Sequence, residues 1–332
     1  MAETLLDIKD LHVWYKVYGG MLKVLNGVNF RVDAGEKVGL VGETGCGKTT
    51  TMKALLRILP SVARVPQGEI IIRGKNVLAM NSRELAELRG RGLSMIFQDP
   101  TSALNPVFTI GQQLYDVIRS AKASSGDETM DKRQVALRAL REARLPDAER
   151  MLDSYPIQLS GGMRQRVCIS FAIATARDLL IADEPTTNLD VTIQDQVLRL
   201  IRDLVEQRGT SLVLITHSLG LAREMTDRVY VMYAGNMIEV SETKRLFEKP
   251  LHPYTQGLFA SIPRLTGGGF AEGIPGRLPD YRNPPTGCRF QPRCPYAFEP
   301  CAVTMPPYFD VGNGHQVACY LYRDGQEVGG NA

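Results

Sequence analysis

One octapeptide, Gly42-Glu43-Thr44-Gly45-Cys46-Gly47-Lys48-Thr49, constrains this chain more than any other stretch. It fits G-x-x-x-x-G-K-S/T, and its flanks are the ones that pattern needs. Lys37-Val38-Gly39-Leu40-Val41 reads as a buried strand, and residues 50–59 read as a helix stopped by Pro60. The glycines let the backbone wrap close to phosphate, while amides at the helix start point at the anion and the helix dipole favours negative charge there. Lys48 adds a point charge near the β and γ phosphates, the Thr49 hydroxyl reaches Mg²⁺, and Thr50 completes the nucleotide-binding set at the start of the helix. Such a loop says that a nucleotide binds. It does not say what the energy is for.

Length and composition narrow the classes. A chain of 332 residues allows about two domains. No apolar run approaches the roughly 20 residues that span a bilayer; residues 167–176 come nearest but are short and carry Ser170 and Thr175. Met1-Ala2-Glu3-Thr4 has neither a basic nor an apolar leader region, so the expectation is a cytosolic chain without a signal peptide. The 39 basic and 36 acidic residues leave a net charge of only +3 and no long basic run, which argues against a nucleic-acid partner. Six cysteines in such a compartment argue against a disulfide framework.

Ahead of the loop, Leu6-Asp7-Ile8, Leu11-His12-Val13-Trp14-Tyr15 and residues 24–32 alternate apolar with polar, which predicts short antiparallel strands with one buried face. Tyr15 lies 27 residues before Gly42 and is the candidate for stacking on an adenine ring; a core tyrosine is the alternative, and Trp14 and Tyr18 are substitutes. Residues 68–74 and 92–97 read as further strands. The second delivers Gln98 to a carboxyl end, where α/β folds place ligands; Gln98 is a candidate for the attacking water or Mg²⁺, with a strand-end cap as its plain reading. Residues 107–159 look mostly helical, with Val135, Ala136, Ala139, Leu140 and Ala143 on one face of residues 131–145 and a loop at residues 123–126.

Leu159-Ser160-Gly161-Gly162 then opens a helix running to Ala176, with Ser160 as N-cap and two glycines leaving the helix start open to an anion. That makes a second phosphate site, which has a use if it closes on the nucleotide of another subunit. Residues 178–183 read as a buried strand ending in Asp183-Glu184. Asp183 is placed to hold Mg²⁺ through water, and Glu184 to orient or deprotonate the water that attacks the γ-phosphate. Asn188-Leu189-Asp190 follows, then a helix with Ile193, Val197, Leu200, Ile201 and Leu204 on one face. Residues 211–216 form another strand, and His217 at its end is a candidate donor to the γ-phosphate.

Taken in order, residues 42–49, Gln98, 159–162, Asp183-Glu184, Asp190 and His217 resemble an ATP-binding-cassette ATPase, and the likeness covers essentially the whole chain. Ser160-Gly161-Gly162-Met163-Arg164-Gln165-Arg166 is its most specific block. The resemblance implies an α/β fold: a RecA-like P-loop core, an antiparallel β subdomain, an α-helical insertion at about residues 99–165, and a loop-rich C-terminal cysteine domain. It also implies that two cassettes sandwich two ATP molecules, each between Lys48 of one subunit and Ser160 of the other, and drive a membrane partner. Phe97-Gln98-Asp99-Pro100-Thr101-Ser102-Ala103-Leu104-Asn105-Pro106 and residues 182–192 resemble the oligopeptide and dipeptide importer ATPases, the latter block their D-type subunit. His252-Pro253-Tyr254-Thr255 and Ser261-Ile262-Pro263 belong to the same likeness. The partners implied are an F-type second ATPase subunit, two transmembrane permease subunits and, indirectly, an extracytoplasmic solute-binding protein, with this chain peripheral on the cytoplasmic face of the membrane.

Three positions depart from the family pattern: Cys46 where serine is usual, Asn188 where alanine is usual, and Ser218 where aspartate is usual. None removes a catalytic group. A thiol beside ATP phosphates makes Cys46 a candidate oxidant-sensitive position.

A domain boundary is expected near residue 250, separating residues 1–250 from residues 251–332. Beyond it Pro and Gly rise, helical patterns fade, and Gly267-Gly268-Gly269 reads as a linker. Cys288, Cys294, Cys301 and Cys319 follow at C-x5-C-x6-C-x17-C. A tail with little apolar material needs a staple, and four thiolates suit either zinc or an iron–sulfur cluster; His315 reads as a surface residue, with a stray metal ligand as the alternative. The resemblance implies a 4Fe–4S cluster, because members of the importer group hold one on tail cysteines. The expected function is ATP hydrolysis powering uptake of peptides or similar solutes, with a soluble, redox-sensing ATPase as the alternative.

Overall fold

The computed structural model describes residues 3–123, 131–175, 177–187, 189–261 and 273–323. The expected loop at residues 123–126 falls largely outside them, as do Ala176, Asn188, the Ile262-Pro263 pair and Gly267-Gly268-Gly269. The chain divides into two compact units: Met1–Leu5, Asp33–Glu36 and Ala79–Leu214 form one, and Leu6–Val32, Lys37–Leu78 and Ile215–Ala332 the other.

The second unit carries the phosphate loop. Its antiparallel part is built on strands Thr4–Val17 and Gly20–Asp33, with Glu69–Ile72 set against the first in the register Leu6↔Ile72 and Ile8↔Ile70. Period-two alternation buries Leu6, Ile8, Leu11, Val13, Val28, Phe30 and Val32. The sequence predicts shorter pieces here. The first strand instead continues through Asp10, which takes a positive φ of 47°, so a local kink replaces a break; the second begins at Gly20, ahead of the expected residue 24. Strand Lys37–Val41 pairs in parallel with Arg228–Tyr233, which pairs antiparallel with Asn236–Glu242. Val38, Leu40 and Val41 are fully buried, so the strand feeding the loop is fixed on both faces. The helix after the loop spans Lys48–Leu55, ending short of the expected residue 59 because Arg57 turns to φ 50°.

The C-terminal region packs into this same unit and is less bare than its composition suggests. A helix, Pro253–Ala260, stands where no helical pattern is legible. Tyr254 and Phe290 join Tyr233 in a fully buried aromatic cluster, with ring centroids 4.7 Å apart for Tyr233–Tyr254 and 5.1 Å for Tyr233–Phe290. The expectation of a tail short of apolar material is therefore corrected: the apolar residues are few but gathered. Glu239, wholly buried, accepts from the amides of Leu251 (2.7 Å) and His252 (2.9 Å) and lies 2.8 Å from Nε2 of His315. This corrects the surface reading of His315, which is 1% exposed; a buried carboxylate needs that many partners to stay buried.

The other unit holds the parallel strands Leu93–Ile96 and Leu179–Asp183, in register from Leu93↔Leu179 to Ile96↔Ala182. Its helical insertion is Ile110–Ala123, Lys132–Glu142, Ala148–Asp153 and Gly161–Ile173. Lys132–Glu142 buries Val135, Ala136, Ala139 and Leu140, the face expected from the 3.6-residue period. Helix Val191–Arg208 buries Val197, Leu200, Ile201 and Leu204 and stops at Gly209, whose φ of 61° suits a helix C-terminus. Among the described residues, no helix is long and apolar enough to cross a membrane.

His252 gives the fold a pH signature. Burial pushes it down to about 4 from an ordinary 6.5, against the pull of Glu239, and its Nδ1 accepts from the Tyr254 amide at 3.0 Å. The unfolded chain takes up this proton at higher pH than the folded one. Stability from this residue is thus complete above pH 6.5 and drains away as pH falls toward 4, by about 3 kcal/mol. Denaturant unfolding at pH 7 and pH 4.5 should show that loss, and His252→Asn, which keeps a capping acceptor, should flatten it; an unchanged slope in the variant assigns the loss elsewhere.

Candidate nucleotide site

The phosphate loop closes around its own lysine. Lys48 is 5% exposed and its ammonium donates to the carbonyls of Gly42 (2.7 Å) and Glu43 (3.0 Å). Gly47, at φ 114°, precedes the helix and provides no side-chain cap, and a Cβ there would meet Leu25 Cδ2 at 2.7 Å. Glycine is required there, and as the N-cap residue it leaves the helix start without a side-chain cap of its own. Cys46 is fully buried, and burial pushes its thiol up, with Lys48 pulling the other way. The oxidant-sensitive reading of Cys46 is thereby corrected, since the reactive species is an accessible thiolate. Thr44 and Gly45 are exposed, and Thr49 and Thr50 are partly so.

Sequence reasoning does not find three further residues on this loop. Tyr254 Oη accepts from the Glu43 amide at 2.9 Å, Tyr281 Oη donates to the Gly45 carbonyl at 2.8 Å, and Arg293 pairs with the Glu43 carboxylate at 2.9 and 3.1 Å. They come from the C-terminal region, and no local pattern links them to the loop. In the same unit Tyr15 is partly exposed opposite Ala63, and Trp14 beside it lies under the Lys23 ammonium at 5.7 Å. His217 is exposed immediately after strand Ser211–Thr216, and the amide of Ser218 donates to Thr216 Oγ1 at 2.9 Å.

In the other unit the structure brings Gln98 and Glu184 together. Gln98 Nε2 donates to Glu184 Oε2 at 3.0 Å, and Thr187 Oγ1 donates to the same oxygen at 3.1 Å. Glu184 takes a left-handed backbone, φ 45°, which is uncommon outside glycine and persists only where neighbours impose it. Asp183, one residue before, is 3% exposed at the end of its strand. The turn therefore points one carboxylate inward and holds the next, partly exposed, by two donors. Such a group can accept a proton from water and orient it.

The third set starts at Ser160. Its Oγ caps helix Gly161–Ile173 by accepting from the Met163 amide at 3.3 Å, as expected, and Ser160 and Gly161 are exposed. Gly162 has a packing reason to be glycine, because a Cβ would stand 2.9 Å from Ile193 Cγ2 on the neighbouring helix. Asp190 caps that second helix, accepting from the Ile193 amide at 3.0 Å. The two helix starts are thus tied to one another through Ile193.

Cys288, Cys294, Cys301 and Cys319 line one cavity with His252 and Phe290, and none of the four is in a disulfide. Burial pushes Cys288 up to about 11 and Cys319 to about 12, and each feels the charge of its fellow cysteines. The donor set is that of a four-sulfur group. As the side chains are placed, however, no three His, Cys, Asp or Glu among the described residues stand at metal-binding spacing.

Comparison with known proteins agrees with this chemistry. A family model described as ABC transporter matches residues 25–187, and one described as Oligopeptide/dipeptide transporter, C-terminal region, matches residues 238–301. The "Probable peptide ABC transporter ATP-binding protein y4tR" of Sinorhizobium fredii is 44% identical over 322 residues, covering 96% of this chain and 95% of that protein. The "Oligopeptide transport ATP-binding protein OppD" of Bacillus subtilis is 42% identical, covering 96% and 88%. Among solved structures, the dimeric post-hydrolysis state of the ATP-binding cassette MJ0796 bound to ADP and Pi matches with a TM-score of 0.64 at 26% identity, over 72% of this chain and 99% of that one. The α/β core is accordingly a RecA-like P-loop core.

The Gly162–Ile193 contact is testable in isolation. Gly162→Ala should cost about 1–3 kcal/mol by overpacking against a β-branched side chain that has little room to turn. In the Ile193→Ala background the same substitution should cost markedly less, measured by denaturant unfolding; equal costs in both backgrounds would mean the contact is not what requires glycine.

Proposed function

Because this chain belongs to the ABC transporter family, as the ATP-binding and ATP-hydrolysing subunit of a peptide importer, we propose a division of labour among its residues. The backbone of residues 42–47, the ammonium of Lys48 and the start of the helix at Thr50 receive the phosphates of ATP, with Tyr15 stacked on the adenine. Thr49, Gln98 and Asp183 would hold Mg²⁺, Asp183 through water, and the ion would neutralise charge on the β and γ phosphates. Glu184 orients and deprotonates the attacking water, and His217 donates to the γ-phosphate. Ser160, Gly161 and Gly162, with Asp190, close on the nucleotide of a second ATPase subunit of the F type, and that closure drives two permease subunits. The chain then works peripherally on the cytoplasmic face of the membrane, residues 1–250 acting as the nucleotide-binding domain and residues 251–332 as an importer-type tail. The transported solutes are dipeptides, oligopeptides or similar molecules delivered by an extracytoplasmic binding protein.

The observation that supports this reading most directly is Glu184. Its backbone is held in a strained conformation while Gln98 and Thr187 both donate to one carboxylate oxygen. A carboxylate kept in place at such cost beside a buried Asp183 is suited to handling a water molecule.

The cysteine tail fits a four-thiolate group by donor chemistry and by the shared cavity. We assign it a 4Fe–4S cluster held by Cys288, Cys294, Cys301 and Cys319, with zinc as the alternative; either would take the sulfurs as thiolates and displace their protons.

Two measurements check these assignments. Glu184→Gln should still bind ATP and accumulate as a closed dimer while hydrolysis falls by about 10²- to 10⁴-fold; turnover near that of the wild type removes Glu184 from the role of base. Anaerobically purified protein should contain iron and acid-labile sulfide, whereas stoichiometric zinc with neither would assign the cavity to zinc.

A further inference from the structure

Glu43 is the one negatively charged residue of the octapeptide at residues 42–49. It is the second residue of a loop that must accept a polyanion, and a carboxylate there repels the charge the loop is built to attract. Arg293 answers it. Every N–H of the guanidinium has an acceptor: Nη1 reaches Glu43 Oε2 (2.9 Å) and Tyr233 Oη (3.3 Å), Nη2 reaches Glu43 Oε1 (3.1 Å) and the Ile274 carbonyl (2.8 Å), and Nε reaches the Pro275 carbonyl (2.8 Å). All five donors of the fork are used, two of them in the bidentate geometry that arginine alone offers a carboxylate. The Arg293 side chain is 5% exposed and that of Glu43 29%, so the pair is shielded from the water and salt that weaken surface pairs. Burial works against the charged guanidinium, but its bonds to Glu43 and Tyr233 outweigh this and hold its pKa above the ordinary arginine value.

The same region grips the loop backbone. The Glu43 amide donates to Tyr254 Oη, and the Gly45 carbonyl accepts from Tyr281 Oη. Tyr254 is wholly buried in the aromatic cluster with Tyr233 and Phe290. None of these tyrosines, nor Arg293, lies within residues 25–187, where the general transporter model matches; Tyr254, Tyr281 and Arg293 lie within residues 238–301, the separate C-terminal match. A solved cassette is covered to 99% by 72% of this chain, so a cassette is complete without an added region of this size.

We propose that Arg293 is a positioning residue of the ATP site, which neutralises Glu43 and, with Tyr254 and Tyr281, fixes the first turn of the phosphate loop, making nucleotide affinity depend on the C-terminal region. This rests on the reading that residues 42–49 hold the ATP phosphates. Arg293 acts by cancelling the charge of the loop's one negative side chain, which it holds by two hydrogen bonds. Its effect falls on binding of the charged ligand rather than on the water-activating step, which belongs to other residues.

The test is a cycle on the full chain, read by calorimetric titration with Mg·ATP, by the split between KM and kcat, and by thermal unfolding. Arg293→Ala should raise the ATP Kd about tenfold or more, with KM following and kcat falling far less. Adding Glu43→Gln should restore most of that affinity, because the charge that needed cancelling is gone. A merely structural arginine would lower stability and affinity equally with and without the Glu43→Gln substitution, so an Arg293→Ala penalty that Glu43→Gln does not relieve overturns the proposal, as does unchanged ATP affinity in Arg293→Ala. Should Arg293→Ala not fold, Arg293→Lys keeps the charge without the fork and should raise Kd about threefold; no rise there overturns the proposal as well. Lys48→Ala separates the two levels: it must abolish ATP binding, and if it does not, the loop is not the ATP site and both readings fall together.

Discussion

A single negative charge at the start of the phosphate loop, Glu43, is met by residues of the C-terminal region. A carboxylate beside a polyanion is unfavourable unless its charge is answered, and Arg293 pairs with Glu43 through a fully used guanidinium. Rigidity has to be transmitted to Arg293 in turn. The chain around it is tied by the aromatic cluster of Tyr233, Tyr254 and Phe290 and by Glu239, whose buried carboxylate binds the amides of Leu251 and His252 and the ring of His315. The tail is thereby continuous with the nucleotide loop, by packing on one side and by hydrogen bonds on the other.

Strain and close approach mark the chemical positions. Gly47 stands where a Cβ would strike Leu25, and Gly162 where one would strike Ile193. Glu184 is held with φ at 45° by its neighbours. In each case the local backbone has one residue type or one conformation available, and what surrounds it enforces that choice. The proposed division of labour falls on these fixed points, while the helices between them carry ordinary apolar faces.

Much of this was legible in the sequence because it is local. The strand Lys37–Val41, its glycine loop and the helix after it are contiguous, as are Asp183-Glu184 with the buried strand before them and Ser160 with the helix it caps. What was illegible is what depends on residues far apart or on backbone choices that composition hides. Arg57 ends its helix by a left-handed turn that no breaker residue announces, and Asp10 kinks a strand that alternation divides into two pieces. The tail looked short of a core because its aromatic residues are scattered in sequence and meet only in the fold. Arg293 and Glu43 are 250 residues apart, and an arginine between two cysteines draws attention to the cysteines. His315 looked like a surface residue for the same reason: its partner, Glu239, is distant in the chain.

The dependence of the loop on the C-terminal region is most directly tested by amide hydrogen exchange at Glu43 and at Met52 of the following helix, compared between the wild-type chain and Tyr254→Phe. The variant removes the one acceptor seen for the Glu43 amide while keeping the buried ring. A hydrogen bond worth about 1 kcal/mol should make the Glu43 amide exchange several-fold faster, with Met52 unchanged. Equal exchange at Glu43 in both proteins would contradict a loop held in place from the C-terminal region.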